Sequence, residues 1–215
     1  MIRKAKGNMF EWIDYTFNPI KGRCIHNCSY CYMKKFPQKK IRFCKEELQK
    51  PLPENKFIFL VSGADMFAEN VKPEWIKNIL IFLNKYDNIY LFQTKNPKRY
   101  HEFDKFPKNS FFGTTIETNK QELIKSNTPT VEERKNELKK IKGNKTITFE
   151  PIMDFDIEEI IKYIKETNPK YISIGADTGK NNLVEPNKEK VLDFIKKAKQ
   201  LTEVKLKHNL NRILR

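Results

Sequence analysis

The sequence has no apolar run that approaches the roughly 18 residues of a membrane-spanning helix. Its opening stretch, MIRKAKGNMFEW, lacks the apolar core of a secretory signal. Linkers rich in glycine or proline, low-complexity segments and internal repeats are absent as well. From these absences we expect a cytoplasmic protein without a membrane partner. We also expect a monomer that folds as a single domain over residues 1–215.

Cysteine is scarce, with four residues in a chain of 215. Three of the four lie in RCIHNCSYCYMKK, residues 23–35, with the spacing Cys24-x3-Cys28-x2-Cys31, and Cys44 follows in a separate segment. Disulfides are rare in the cytoplasm, and thiols crowded into one loop suit a metal ion or an iron–sulfur cluster better. A second cysteine group is missing, which argues against an auxiliary cluster.

Acidic residues are too few to balance the basic ones, and the formal net charge is +15. The excess lies at the two ends of the chain. Residues 1–50 contain twelve Lys or Arg against four Asp or Glu, and residues 201–215 contain four against one. These basic terminal segments are suited to neutralising nucleic-acid phosphates in a salt-dependent way. The alternative, that the lysines simply keep the protein soluble, stays open.

Short β-rich runs alternate with helical patterns along most of the chain. Strands are predicted over 15–22, 57–63, 88–94, 110–117, 145–151 and 170–176, with a seventh candidate in VKLKHNL at 204–210. Helices are predicted over 73–86, 130–141, 156–166 and 187–200. Thr130, Asp156 and Asn187 stand where N-caps of the last three helices would be.

This alternation predicts an α/β fold with a parallel sheet and right-handed crossovers. A complete TIM-type barrel takes about 250 residues, so the shorter chain favours a partial (β/α)6 barrel. Chemistry in such folds collects where the strands end. The polar strand ends lie at residues 62–65, 94–96, 115–117, 150–151 and 177–179. The cysteine loop follows the first strand and should lie at the same rim.

Three clustered thiolates allow more than one kind of metal site. A structural zinc ion takes four ligands, usually as two separated pairs, whereas this loop contains one close pair. Four cysteines, or three with His26, remain an alternative ligand set. An electron-carrier cluster is held by four cysteines. Three thiolates on a four-iron cluster would leave one iron without a protein ligand, and such an open metal can bind and activate a small molecule.

The motif Cys24-x3-Cys28-x-Tyr30-Cys31 resembles the signature of the radical S-adenosylmethionine (SAM) enzymes. The resemblance implies a [4Fe-4S] cluster held by Cys24, Cys28 and Cys31, whose open iron chelates SAM. The reduced cluster would cleave SAM to methionine and a 5′-deoxyadenosyl radical, which abstracts hydrogen from a substrate. It also implies an external electron donor of the flavodoxin or ferredoxin type.

The stretches CSYCYM, SGADMF, LFQTKNPKRY, FFGTTIET and TFEPIMD, in this order, look like an uncharacterised, phage-associated radical SAM family and, more distantly, like the spore photoproduct lyase family. The resemblance implies that SAM is contacted at Ser62, Gly63, Ala64 and Asp65, at Lys95, and at Thr115, with Tyr30 beside the adenine. Glu117 is a further candidate for contact with SAM, with capping of a helix or pairing with a lysine as the alternatives.

The chain also departs from the lyase pattern. The stretch VSGADMF, where the lyase carries a hydrogen-donating cysteine nearby, contains none, so no catalytic residue is assigned and the substrate is not identified. A nucleic acid or a modified nucleotide is the candidate that the charge suggests. The alternative hypothesis is a non-enzymatic nucleic-acid-binding module with a zinc or iron–sulfur site.

Overall fold

The computed structural model describes residues 2–37, 39–179 and 181–215. These residues contain a main sheet of eight strands and a separate sheet of two. The strands are β1 Arg3–Lys4, β2 Tyr15–Phe17, β3 Ile20–Lys21, β4 Arg42–Phe43, β5 Phe57–Leu60, β6 Ile89–Thr94, β7 Ser110–Thr115, β8 Asn144–Phe149, β9 Tyr171–Ile174 and β10 Glu203–Leu206.

The main sheet has the order β1-β2-β5-β6-β7-β8-β9-β10. β1 pairs antiparallel with β2 at one edge, and all the other pairs are parallel. From β2 to β10 each crossover advances by one strand in the same direction, as in a barrel, but β1 and β10 remain as edges. The predicted parallel α/β sheet and incomplete barrel are therefore confirmed, and the seventh strand candidate is β10.

Four crossovers of the sheet contain an α-helix. The α-helices are α1 Pro73–Leu83, α2 Val131–Lys140, α3 Ile157–Thr167, α4 Lys188–Ala198 and the terminal α5 Asn211–Leu214. Thr130, Asp156 and Asn187 cap α2, α3 and α4 as predicted, because each side chain accepts a backbone N–H from the first turn. No helix in the described ranges is long and apolar enough to span a membrane.

The other two parallel crossovers differ from the predicted β/α pattern. Between β6 and β7 the chain forms the 3-10 helix Pro97–Glu102, and between β2 and β5 it forms the small β3–β4 sheet with the 3-10 helices Tyr32–Lys35 and Lys45–Gln49. The predicted first strand, 15–22, is divided at Pro19. Proline cannot donate a hydrogen bond to a sheet, and the chain leaves the main sheet there to pair with β4.

The two faces of the main sheet carry different cores. One set of side chains packs with the helices: Ile58, Leu60, Phe92, Phe112, Ile147, Ile172, Ile79 and Leu83. The alternate positions pack with the N-terminal segment: Phe57, Phe59, Leu91, Phe111, Phe10, Trp12 and Ile13. Because successive strand side chains point to opposite faces, the second set fills the concave side of the partial barrel. The N-terminal segment therefore closes part of the barrel interior.

Most of the residues singled out for chemistry lie just beyond the strands, while Thr94 and Thr115 are the last residues of β6 and β7. β5 ends at Leu60, β7 at Thr115 and β8 at Phe149, so residues 62–65, 116–117 and 150–151 belong to loops. The carboxyl ends of parallel strands lie along one edge of the sheet. A cavity of about 840 Å³ opens at this edge.

Candidate cofactor site

The cysteine loop lies on the wall of this cavity. The thiols of Cys24, Cys28 and Cys31 are free and line the cavity, whereas the free thiol of Cys44 is buried outside it. Asn27 turns the loop between the first two cysteines with a φ of 48°, a conformation that asparagine tolerates. The backbone N–H of Cys31 donates to the carbonyl of Cys28 at 3.1 Å. A local turn thus presents three thiols together.

Burial is the main influence on the protonation of the thiols. Burial and then Asp65, with smaller effects of the two neighbouring cysteines, raise the pKa of Cys24 to about 12. Burial also raises the pKa of Cys28, although the ammonium of Lys95 opposes the shift. A bound metal would act in the opposite direction, because its positive charge deprotonates a coordinating thiol.

The three thiols of the cysteine loop are not gathered around a single point. Within residues 2–37, 39–179 and 181–215, no three His, Cys, Asp or Glu side chains are placed to hold one metal ion. A four-iron cluster binds each thiolate at a different iron, whereas a structural zinc ion gathers its thiolates at about 2.3 Å from one metal. The predicted cluster and the alternative zinc ligand sets both stay predictions.

Asp65 anchors the cysteine loop to the end of β5. Its carboxylate, fully buried, accepts hydrogen bonds from His26 Nε2 at 2.9 Å and from Thr94 Oγ1 at 2.7 Å, and also from the backbone N–H groups of Phe67 at 2.9 Å and Lys95 at 2.8 Å. Burial alone would raise the pKa of Asp65, but these hydrogen bonds and the charge of His26 outweigh it and lower the pKa. His26 stands between Cys24 and Cys28, so this anchor fixes the loop.

We expect Asp65→Asn to destabilise the protein by about 2 kcal/mol, because the amide turns one oxygen into a donor that faces other donors. It should also lower the iron retained after reconstitution, since His26 loses its anchor. Urea unfolding and iron analysis measure the two effects. Asp193→Asn, on an exposed ion pair with Lys197, is the matched control, with an expected change below about 0.5 kcal/mol. Equal unfolding midpoints for both variants would refute the anchoring role.

Three further contacts hold the cysteine loop in place. The backbone N–H of Ser29 donates to the carbonyl of Lys125 at 2.9 Å, and the N–H of Asn127 donates to the carbonyl of His26 at 2.7 Å. The hydroxyl of Tyr32 donates to the carbonyl of Ser62 at 2.7 Å. The sequence gives no indication of these contacts, because they join segments far apart in the chain.

The residues proposed to contact SAM gather at the same cavity, with one exception. Those that line it are Tyr30, Ser62, Gly63, Ala64, Asp65, Lys95 and Thr115. Val61 precedes this group with a φ of 55°, which is rare and strained for a β-branched residue. The turn at Val61 directs residues 62–65 toward the cavity. The contact of each of these residues with SAM stays a prediction.

Glu117 is the exception, since its fully buried carboxylate lies behind the cavity wall. Lys95 Nζ stands 2.6 Å from Glu117 Oε1, and Arg134 Nη1 stands 2.8 Å from Oε2. The hydroxyl of Tyr30 also donates to Glu117. Burial and the Glu117 carboxylate raise the pKa of Tyr30 well above its usual value, which keeps this hydroxyl protonated. The predicted pairing of Glu117 with a lysine is confirmed, and its contact with SAM stays a prediction.

Arg134 is a residue whose role the sequence analysis missed. It is fully buried, and besides Glu117 it donates to the carbonyl of Thr115. In the charged stretch TVEERKNELKK it looked like one of several surface cations. Its position does carry a signal, because Val131, Arg134 and Leu138 share one helix face and the other two are apolar.

Residues 7–183 match the model of a protein family described as "Protein of unknown function (DUF5131)". Among curated proteins, none matches the sequence at a significant level. In solved structures, the chain is similar to spore photoproduct lyase complexed with dinucleoside spore photoproduct, with 13% identity, a TM-score of 0.67, and coverage of 94% of this chain and 80% of the lyase.

A double mutant of the lyase with bound AdoMet and dinucleoside spore photoproduct is also similar, with 14% identity, a TM-score of 0.59, and coverage of 92% of this chain and 66% of the lyase. At this level of identity the likeness establishes the fold. The chain therefore has the fold of spore photoproduct lyase over most of its length.

Proposed function

The chain belongs to the DUF5131 family of proteins of unknown function, and we propose that it is a radical SAM enzyme. The observation that carries the proposal is the division of the four cysteines. Three free thiols share the wall of one cavity at the carboxyl edge of the sheet, and the fourth is buried elsewhere. Cys24, Cys28 and Cys31 would hold three irons of a [4Fe-4S] cluster and leave the fourth without a protein ligand.

The cluster, once bound and reduced, supplies the electron that splits SAM into methionine and a 5′-deoxyadenosyl radical, which takes a hydrogen atom from the substrate. The electron would come from an external donor of the flavodoxin or ferredoxin type. The comparison with the lyase supports this chemistry by analogy, because a structure of that protein contains AdoMet and a dinucleoside.

The residues around the thiols have distinct tasks in this proposal. Lys95, on the cavity wall and 15% exposed, presents an ammonium group to the carboxylate of SAM. Glu117 and the ring of Tyr30, 5.3 Å from Lys95 Nζ, hold that ammonium in place. Asp65 has all its acceptors engaged and acts by shaping residues 62–65, whose backbone faces the cavity.

The remainder of the cavity wall includes apolar side chains that exclude water from a reactive radical. They are Met9, Phe10, Met33, Phe59 and Val61. A hydrogen-donating thiol is not left over, since the three cysteines on the wall are the proposed cluster ligands and Cys44 is buried outside the cavity. We therefore do not expect the thiol-dependent repair of a thymine photoproduct. We propose instead an unidentified substrate, with a nucleic acid or a modified nucleotide as the candidate class.

We expect protein reconstituted without oxygen to be brown and to bind about four irons per chain. With dithionite and SAM it should release 5′-deoxyadenosine and methionine, because an open iron binds SAM only when three thiolates hold the cluster. Chromatography of the products measures the reaction, and the same mixture without dithionite is the control. A colourless zinc protein that leaves SAM intact would instead support a non-enzymatic nucleic-acid-binding module.

A further inference from the structure

The cavity has a second wall that the proposed SAM site does not use. The cysteine loop and residues 62–65, 95 and 115 come from the first part of the sheet, β2 to β7. The second wall comes from the ends of β8, β9 and β10 and from the N-terminal segment, and its polar residues include Asn8, Glu150, Asp177, Thr178 and Lys207. The carboxylate of Asp177 is engaged by Gly179 and Asn181, and we call the other four residues the polar wall. A cavity of about 840 Å³ lies in the range of sites for sizeable ligands.

The polar wall is built around a carboxylate and an ammonium group that are largely withdrawn from solvent. Lys207 Nζ, whose side chain is 6% exposed, donates to Glu150 Oε1 at 2.8 Å and Oε2 at 2.7 Å, and to the carbonyl of Asn8 at 2.6 Å. Asn8 and Asn209 each donate to Glu150 Oε1 at 3.0 Å. Withdrawing such charges from water costs free energy, so their presence on a cavity marks a candidate functional site.

Gly175 provides the space that this arrangement needs. A Cβ atom at position 175 would stand 2.9 Å from Glu150 Cδ and 3.0 Å from Asn209 Oδ1. Any larger residue would push the carboxylate away from its donors. Glycine at position 175, directly after β9, is therefore required for the observed position of the Glu150 carboxylate.

The hydrogen bonds already made determine what the polar wall can still offer. Lys207 has used its three hydrogens, and Asn8 has used both amide hydrogens, on Glu150 and on Thr178 Oγ1 at 2.9 Å. The described residues place no donor on Asn8 Oδ1 and only Lys207 on Glu150 Oε2. Both oxygens can accept further bonds, and the Thr178 hydroxyl can donate one. The wall thus suits a ligand that carries N–H or O–H groups.

Cations without a carboxylate partner line the same cavity. Lys6, Arg23 and Lys34 are exposed members of its lining, and in the described part of the chain none of them forms an ion pair. We call these three residues the cationic mouth. Guanidinium and ammonium groups in this state are suited to phosphate oxygens. Met9, next to Asn8 in the chain and on the cavity lining, offers an apolar surface for a flat ring.

We propose that the polar wall and the cationic mouth form the substrate subsite, and that its ligand is a nucleotide. The phosphate lies at the cationic mouth, and the N–H edge of the base or the hydroxyls of the sugar face Asn8 Oδ1 and Glu150 Oε2. This inference rests on the proposed function, because it assigns the three thiols, residues 62–65 and Lys95 to SAM and leaves to the substrate the exposed cations Arg23 and Lys34, which flank the thiols in the same loop. A free nucleotide and one unit of a strand share the chemistry that the subsite recognises.

The test uses reconstituted full-length protein with SAM present. The probes are fluorescein-labelled single strands of DNA and RNA about 12 nucleotides long, read by anisotropy, and the nucleoside 5′-monophosphates, read by calorimetry. If the single strands bind and the monophosphates do not, the ligand is one unit of a nucleic acid. If the monophosphates bind, the ligand is a free nucleotide. Failure of every probe to bind would overturn the proposal.

Two variants connect the binding to the subsite. Asn8→Ala, at an exposed residue, should weaken binding of the nucleotide at least about tenfold more than it weakens binding of SAM, since the wall loses the Asn8 Oδ1 acceptor. For a strand, the triple variant Lys6→Ala, Arg23→Ala and Lys34→Ala should flatten the slope of log Kd against log salt by about two. The control is the triple variant Lys77→Ala, Lys85→Ala and Lys108→Ala, at lysines that do not line the cavity.

The outcomes separate this inference from the proposed function. If Asn8→Ala weakens the binding of nucleotide and of SAM equally, the polar wall belongs to the SAM site and the inference is overturned. The proposed function would survive this result, because it depends on the cleavage of SAM. Absence of SAM cleavage from brown, iron-loaded protein would refute the proposed function whatever the nucleotide binding. If the control variant changes nucleotide binding as much as the cationic-mouth variant does, the affinity is nonspecific and the subsite is wrong.

Discussion

Replacing Cys28 by alanine is expected to abolish iron binding and SAM cleavage, because two thiolates cannot hold a cluster that three thiolates leave open. Cys28 is 6% exposed and lines the cavity. The charges of Lys95 and Glu117 are close enough to affect its thiol. Iron analysis, the visible spectrum of the cluster and the yield of 5′-deoxyadenosine measure the effect. Cys24→Ala and Cys31→Ala should behave in the same way.

Cys44→Ala is the matched control, because it removes the same thiol from a buried position outside the cavity. The backbone N–H of Cys44, which donates to the carbonyl of Pro19 at 2.7 Å, survives the substitution. The variant should keep its iron and cleave SAM, at a cost in stability of about 1 kcal/mol for the lost buried group. Equal loss of iron from Cys28→Ala and Cys44→Ala would mean that all four cysteines are ligands and that no iron is open.

The rim of the sheet could be predicted from the sequence because its signals are local. The apolar runs at 57–60 and 145–149 carry β-branched and aromatic residues, and the polar residues that end them lie beside each other once the strands are parallel. The cysteine spacing is equally local. From the sequence alone, these features predict Cys28, residues 62–65 and Lys95 at one edge of the sheet.

The parts that the sequence did not reveal depend on contacts between distant segments. Residues 9–13 look like an ordinary amphipathic stretch, yet they fill the concave face of the sheet because that face is otherwise uncovered. Cys44 and Pro19 show the same dependence, since the separate β3–β4 sheet forms from segments on either side of the cysteine loop. Propensity at single positions does not contain this information.

The basic C-terminal segment is the clearest case of a local pattern that tertiary structure changes. Lys207 pairs with Glu150, Arg212 with Glu185, and Lys205 with Glu203. Most of the C-terminal cations are therefore paired with carboxylates, whereas the cationic mouth comes from the N-terminal excess. Net charge counts residues, but only the unpaired ones are available to phosphates.

Glu117→Gln should destabilise the protein by about 3–5 kcal/mol, because it leaves the fully buried guanidinium of Arg134 without its counter-charge. Lys95 is 15% exposed and can turn toward solvent, but Arg134 cannot. Urea unfolding at neutral pH measures the loss. Glu158→Gln, at an exposed residue paired with Lys197, is the control and should change stability by less than about 1 kcal/mol.

The pH dependence of the same pair has a defined sign. Burial alone would raise the pKa of Glu117, but Arg134 and Lys95 lower it far below its usual range. A carboxyl group whose folded pKa is depressed contributes stability that is complete above its unfolded pKa, about 4.3, and that is lost as the pH falls toward the folded value. The stability gap between the wild type and Glu117→Gln should be constant at neutral pH and narrow only in acid.

A double variant separates the structural role of this pair from its functional role. Arg134 Nε and Nη2 have no hydrogen-bond partner among the described residues, so the ion pair is incompletely satisfied, and apolar replacements of similar size are often neutral or stabilising. Glu117→Leu with Arg134→Met should therefore recover much of the stability lost in Glu117→Gln. It should still bind SAM more weakly, because Lys95 has lost the carboxylate that positions its ammonium. Recovery of both stability and SAM affinity would show that Glu117 only fills the core.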